Sequence, residues 1–238
     1  MRDWLFDLGN TRLKYAQTLD EVRYLPHQQH DWLAALPDEV CGETAWVSSV
    51  AAPALRQALL EALLGRFARV SFARTSACAG RLRIAYATPE KLGVDRFLAL
   101  LAASMDAQPM LIVGVGTALT VDLLAADGRH LGGKIAPSPS LMRESLQARA
   151  AQLPAVGGQG TDFAGNTLDA LAAGCQGAAL ALIEASRQHA AARLGALPTL
   201  CLHGGGADVL LPHLPGAQHQ PHLVLAGLAH WAAAGNQA

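Results

Sequence analysis

Three short stretches hold residues whose types and spacing can do chemistry. They are Asp7-Leu8-Gly9-Asn10-Thr11-Arg12-Leu13-Lys14, Gly93-Val94-Asp95-Arg96 and Gly114-Val115-Gly116-Thr117. In the first, an acidic residue ends an apolar run just before Gly-Asn-Thr. A glycine-bearing turn presents backbone N–H groups that can cradle an anion. A carboxylate one step ahead of it can hold Mg2+ against the same phosphates, directly or through water. Lys14 adds positive charge on the return strand. A plain hairpin, with Gly9 and Asn10 serving only the turn, uses the same residues.

In the second stretch a carboxylate and a guanidinium are adjacent at a helix start. The helix N-terminus favours an ionised Asp95 and keeps it available as a proton acceptor. Arg96 can fork onto a ligand carboxylate. Read alone, the stretch is better taken as a helix cap at Asp95 and a surface charge at Arg96. The third stretch, and Gly204-Gly205-Gly206 later in the chain, are turns where a nucleotide could approach the backbone. Neither has the G-x-x-x-x-G-K-[ST] pattern or a G-x-G-x-x-G entering a helix. Gly114-Val115-Gly116 comes nearest, but it leads into a strand-like segment. Of the nine histidines, His27 with His30 and His219 with His222 have spacings a metal could use. Their Gln- and Pro-rich neighbours point to solvent instead.

These residues need elements to hold them. Residues 3–8 read as a strand, followed by the Gly-Asn-Thr turn and a strand near 12–18. A short buried strand follows at 45–50, and Pro53 opens a helix near 53–67 with leucines at helical spacing. Further short strands are expected at 70–73 and 82–85. A helix near 95–106 carries Asp95. Strands at 110–113 and 119–124 flank the second glycine turn, and Asp127-Gly128 turns the chain into a strand at 130–131. Helices are expected from Pro139 to about Gln152, from Thr167 to about Leu194, and over roughly 222–234. A strand at 200–202 precedes the triple glycine. Strands lead and helices follow, twice, which gives an α/β class with two similar halves, 1–107 and 108–238. Phe6-Asp7-Leu8-Gly9-Asn10 aligns faintly with Val113-Gly114-Val115-Gly116-Thr117 as an internal repeat.

The composition agrees. The chain has 238 residues, 51% hydrophobic and 16% charged, enough to bury a core. A net charge of −1 offers no nucleic-acid footprint. The first apolar segment is broken by Asp3 and Asp7, so it does not read as a signal peptide. The apolar stretch 109–126 reads as buried strands rather than a membrane span. Cys41, Cys78, Cys175 and Cys201 are scattered and read as reduced thiols of a cytoplasmic protein.

Taken in order, these segments resemble the type III pantothenate kinases, a family within the acetate and sugar kinase, heat-shock chaperone and actin superfamily. The resemblance covers nearly the whole chain. It rests on DLGNTRLK at 7–14, Tyr86 with KLGVDR at 91–96, GVGTALTVDLL at 114–124, GGKIAP at 132–137 and LMRESLQARAAQLP at 141–154. GNT at 165–167, HGGGADVLLPHL at 203–214 and HLVLAGL at 222–228 complete it. It implies two ribonuclease H-like, actin-like ATPase halves with mixed central sheets flanked by helices. It also implies ATP-dependent phosphorylation of the primary hydroxyl of pantothenate, the first step of coenzyme A synthesis. Asp7 through Lys14 would then form the first phosphate motif, with Asp7 near Mg2+, and Thr117 would contact ATP in the second. Asp95 would be the general base. Tyr86, Gly93, Val94, Asp95, Arg96 and Thr167 would contact pantothenate, and Gly204 and Gly205 would lie near the nucleoside. Members are homodimers whose partner chain helps complete the pantothenate site.

The chain departs from the family at several points. Gly114 stands where the family commonly has an Asp that binds K+ or NH4+, so either that requirement is lost or another oxygen supplies the site. Ser138 replaces a glycine, His203 stands where Thr is usual, and Gly206 stands where Asp is common. Two other readings keep the fold: a sugar-type kinase, and a non-catalytic regulatory ATP-binding protein, since relatives were first named Bvg accessory factors. Tyr86 with Gly93–Arg96 argues against the first, and the pair Asp7 and Asp95 against the second.

Overall fold

In the computed structural model, which describes residues 3–27, 31–154 and 156–235, β1 (Trp4–Leu8) is buried along its whole length. His30, raised above as a metal partner for His27, lies outside the described residues. β1 is buried because it is central. It pairs antiparallel with β2 (Arg12–Ala16), which pairs antiparallel with β3 (Arg23–Pro26). On its other side β1 runs parallel to β4 (Gly42–Ser49), and β4 runs parallel to β5 (Phe67–Phe72). The order is therefore β3-β2-β1-β4-β5, a mixed sheet.

Strand alternation divides β1 between two faces. Trp4, Phe6 and Leu8 share a core with Leu59 and Leu63 of α1 (Pro53–Leu64). Leu5 and Asp7 belong to the opposite face. There Trp46, in register with Leu5, meets Trp231 of α6 (Leu223–Gly235) edge-on, with ring centroids 5.8 Å apart. α2 (Val94–Ala103) packs against α6 and β4. Residues 73–93 add a small hairpin of β6 (Cys78–Ala79) and β7 (Leu82–Arg83).

The chain divides into two units, residues 1–106 with 222–238, and residues 107–221. The anticipated continuous second half, 108–238, thus differs from the structure in its last helix, which packs in the first unit. Gly227 explains the placement. It brings the α6 backbone so close to the Leu98 carbonyl of α2 that a Cβ could not fit. Leu223, Val224, Leu225 and Leu228 are buried around it. At the boundary, Ala107 has a φ of +53°, the one non-glycine residue among those described with a left-handed backbone.

The second unit repeats the plan of the first. β8 (Met110–Val115), β9 (Ala118–Leu124) and β10 (His130–Pro137) form an antiparallel meander. β8 also runs parallel to β11 (Thr199–His203), and β11 to β12 (Gln218–His219). The order β10-β9-β8-β11-β12 matches the first sheet strand for strand. Leu111, Val113 and Val115 share a core with Ala179 and Ile183 of α4 (Thr167–Leu194). α4 starts at an Asn166 cap and stops at Gly195, whose φ of +73° is the left-handed helix terminator. By length and composition α4 is long and apolar enough to cross a membrane. In the structure Ala179, Ile183 and Ala190 place one of its faces in the core. α3 (Pro139–Gln147) ends a turn and a half earlier than expected, because Ala148–Gln152 supply no large apolar side chain to extend its apolar face. α5 (Ala207–Leu210) is a single turn after the triple glycine.

Candidate active site

In an open α/β sheet, ligands bind outside the carboxyl ends of the parallel strands. In the first unit those ends carry Asp7 on β1, Ser48 and Ser49 on β4, and Ala73 just past β5. Asp7 lies directly across from Lys14 on β2 and from Ser48 on β4. It is buried, and burial pushes its carboxyl up to about 6. Lys14 opposes that rise, the Asp95 charge adds to it, and the neighbouring Ser48 hydroxyl opposes it slightly. Burial also lowers the Lys14 ammonium below its ordinary value, with Asp7 pulling it back up and Arg12 pushing it further down. The Ser48 hydroxyl forms no hydrogen bond to the described residues, so its effect on Asp7 comes from proximity.

The turn after Asp7 is open. The Gly9 N–H donates to the Arg12 carbonyl at 3.2 Å, and the His27 ring bonds the Gly9 carbonyl at 2.9 Å. The chain itself does not require glycine here. Position 9 has no left-handed φ, and a Cβ would meet nothing nearer than the Arg12 carbonyl oxygen at 3.6 Å. The same holds for Gly116 in the second turn, where the nearest atom would be 3.9 Å away. Two equivalent hairpins thus each keep a glycine whose missing side chain opens space toward solvent. That space lets a ligand reach the backbone.

Asp95 sits in the first turn of α2, behind an uncapped Gly93. Its Oδ1 accepts the Arg96 N–H at 2.8 Å and lies over Gly93, where a Cβ would stand 2.7 Å from that oxygen. Gly93 therefore lets the carboxylate fold back across the helix start. Arg96 is only 6% exposed, so it is not a surface charge. Its Nη1 donates to the Tyr86 hydroxyl at 3.2 Å, and its guanidinium lies over that ring, 5.9 Å from the centroid. Tyr86, Gly93, Val94, Asp95 and Arg96, anticipated as one group, come together in one unit with Asp7. A cavity of about 360 Å³ adjoins them, lined by Ser49, Arg56, Arg74, Thr75, Gly93 and Val94. Sequence reasoning missed Ser48, Arg56 and Arg74. Only strand register and the close of β5 reveal them.

Thr117 and Thr167 belong to the second unit. Thr117 is exposed at the β8–β9 turn, and its carbonyl accepts the Ser138 N–H at 3.4 Å. Thr167 is exposed at the first position of α4. Beside it the Asn166 side chain accepts the Asp169 N–H at 3.0 Å and donates to Asp169 at 2.8 Å. The Gln159 N–H, and then Asn166, hold the Asp169 carboxyl below its ordinary range. Gly204 has a φ of +93°, and a Cβ there would lie 2.5 Å from the Val115 carbonyl oxygen. The Gly206 N–H donates to that same oxygen at 2.9 Å. The triple-glycine turn is thereby fastened to the second hairpin.

Residues 4–189 match the family model described as type III pantothenate kinase. A type III pantothenate kinase of Stenotrophomonas maltophilia is 57% identical over 238 residues, covering 98% of each chain. One from Xanthomonas oryzae pv. oryzae is 56% identical over 243 residues, again covering 98% of each. Among solved structures, a conserved Baf-family protein of Campylobacter jejuni superposes with a TM-score of 0.65 at 20% identity, covering 99% of this chain and 100% of that one. The archaeal actin homologue Ta0583 gives a TM-score of 0.50 at 10% identity, covering 98% of this chain and 99% of that one. At those identities the two structures speak for the fold alone, an actin-like one.

Proposed function

The chain belongs to the type III pantothenate kinase family and so phosphorylates pantothenate with ATP at the first step of coenzyme A biosynthesis; we propose that Asp95 takes the hydroxyl proton while Asp7 and the glycine turns hold the nucleotide. The observation that carries this division is the placement of two carboxylates in one unit, Asp7 in register between Lys14 and Ser48 and Asp95 in the first turn of α2. Their surroundings differ. Asp7 is buried beside Lys14, whereas Asp95 is half-buried at a helix N-terminus, which favours its charged form. A charged, reachable carboxylate is the better proton acceptor.

The residues fit Mg2+ carried in with the nucleotide. Mg2+ usually takes one or two carboxylates together with phosphates rather than an all-protein cage. Among the described residues no cluster of three or more His, Cys, Asp or Glu could hold a metal alone. Asp7, buried and held toward its neutral form, would be the carboxylate that holds the ion, and the chemistry the ion would supply is neutralisation of phosphate charge. In the first unit the open turn at Gly9–Thr11 offers N–H groups to a phosphate, with Arg12, Leu13 and Lys14 shaping it from the return strand; in the second unit the turn at Gly116–Thr117 offers its own. Gly114 brings no carboxylate oxygen, so no monovalent-cation requirement is proposed.

For pantothenate, the cavity beside Gly93 and Val94 supplies Arg56 and Arg74 as carboxylate partners. Arg96 and Tyr86 brace the wall that holds Asp95. Thr167 serves a second copy of the chain in a cytoplasmic homodimer. Supporting this, Phe163 is 99% and Val156 80% exposed in the segment leading to Thr167, apolar surface that a second copy would cover. The decisive experiment is a coupled ADP-release assay offering pantothenate, pantetheine and hexoses in turn. Turnover with pantothenate alone is expected. Turnover with a hexose instead would replace the reading with a sugar kinase, and release of no ADP with any acceptor would leave a nucleotide-binding protein.

A further inference from the structure

The two sheets share one strand order, so their positions correspond. Asp7 is flanked in register by Lys14 and Ser48. Gly114, its counterpart on β8, is flanked in register by Thr120 on β9 and His203 on β11. Side chains at directly opposed positions share a face of the sheet. With no side chain at 114, the two neighbours close over the gap. A Cβ at Gly114 would lie 2.6 Å from Thr120 Oγ1, 2.9 Å from His203 Nε2 and 3.1 Å from His203 Cε1. The space is filled, and the glycine is required by the imidazole that leans across it.

We propose that His203 is a nucleotide-binding residue of the second glycine turn, its ring donating an N–H to a phosphate where the first turn presents Asp7 to a cation. The proposal rests on the nucleotide reading given above. His203 ends β11, beside the end of the parallel strand β8 and the turn that follows. Its main chain is fixed on one side by strand pairing and on the other by Gly204 and Gly206 against the Val115 carbonyl. The ring is half-buried, so it is both held and reachable. Either imidazole nitrogen can carry the proton. Thr120 and His203 bring a hydroxyl and a ring but no carboxylate, a set that suits an anion better than a metal ion. Within the second unit the turn thus offers donors to anionic oxygens, whereas the first unit's turn carries a carboxylate.

The test compares His203→Ala, His203→Gln, Gly114→Ala and the double variant Gly114→Ala/His203→Ala. The readouts are KM for ATP, KM for pantothenate, kcat, and the affinity for a non-hydrolysable Mg·ATP analogue by calorimetry. Losing a hydrogen bond to a charged group predicts a rise of roughly 10- to 100-fold in KM for ATP in His203→Ala. KM for pantothenate should stay unchanged. His203→Gln, which keeps an N–H donor, should recover most of the loss and also covers the case in which the alanine variant fails to fold. Gly114→Ala should lose nucleotide affinity by displacing the ring, and the double variant should be no worse than His203→Ala. A wild-type KM for ATP in both His203 variants, or strictly additive losses in the double variant, would overturn the proposal. Asp7→Asn and Gly9→Ala serve as controls. If they weaken nucleotide binding while the His203 variants do not, only this proposal fails. If none of them does, the nucleotide reading itself fails.

Discussion

Asp7 and Lys14 are direct cross-strand partners in the first hairpin, a carboxylate and an ammonium that burial drives toward neutrality together. Each is disfavoured as an ion by loss of water and favoured by the other. Such a pair is weak evidence for stability. Its place beside an open glycine turn fits the proposed role, in which a metal–nucleotide complex would restore full charge to the carboxylate.

That arrangement sets a pH dependence. The folded Asp7 carboxyl stands at about 6 against an ordinary value of 3.8. Below the ordinary value, both folded and unfolded chains hold the proton. Between the two values only the folded chain holds it, so stability is lost as pH rises through about 6. The loss is on the order of 2–3 kcal/mol. The ligand-free Asp7→Asn variant should therefore match wild type in thermal midpoint near pH 4 and exceed it above pH 7. A constant difference across that range, measured by thermal denaturation, would contradict the assignment. Mg·ATP affinity should fall as pH drops below about 6 in wild type and lose that slope in the variant.

Asp95→Asn keeps the shape of the side chain and removes the proton acceptor. We expect kcat to fall by ~10²–10⁴-fold, with the thermal midpoint and nucleotide affinity near wild type. Single-turnover kinetics separate the chemical step from binding. Unchanged kcat would remove Asp95 from the role of base.

Two glycines should respond in opposite ways to alanine. At Gly9 the chain has room for a methyl, so Gly9→Ala should keep its stability and raise KM for ATP. At Gly227 a methyl meets the Leu98 backbone, so Gly227→Ala should destabilise the first unit by about 1–3 kcal/mol or more. Chemical denaturation with steady-state kinetics reads both. A large stability loss in Gly9→Ala would mean that its glycine serves the fold.

Phe163 tests the assembly. Phe163→Ser should shift the chain toward monomer in sedimentation and raise KM for pantothenate, with KM for ATP unaffected. A dimer of undiminished stability would move the interface elsewhere.

Much of the fold is legible in the sequence because its signals are local. The apolar runs around Gly9 and Gly116 mark both hairpins, and Asn166 and Gly195 bracket α4 at its observed ends. β10 is longer than it reads, since Gly132 and Gly133 suggest a loop while pairing with β9 carries the strand to Pro137. Of the site, Asp7, Asp95 and Arg96 are legible as charges near glycines. Ser48 and His203 are not, because their importance comes from register with residues 41 and 89 positions away (48 − 7 and 203 − 114). The allegiance of α6 is equally hidden, since a single missing methyl at Gly227 decides it.

That allegiance orders events during synthesis. Residues 107–221 form a contiguous unit and can close as soon as they emerge. The first unit, although translated first, lacks its covering helix until residues 222–235 leave the ribosome. The apolar face carrying Leu5, Asp7 and Trp46 therefore waits until residues 107–221 have been made. The emergence of α6, rather than the end of residues 1–106, completes the unit that carries Asp7.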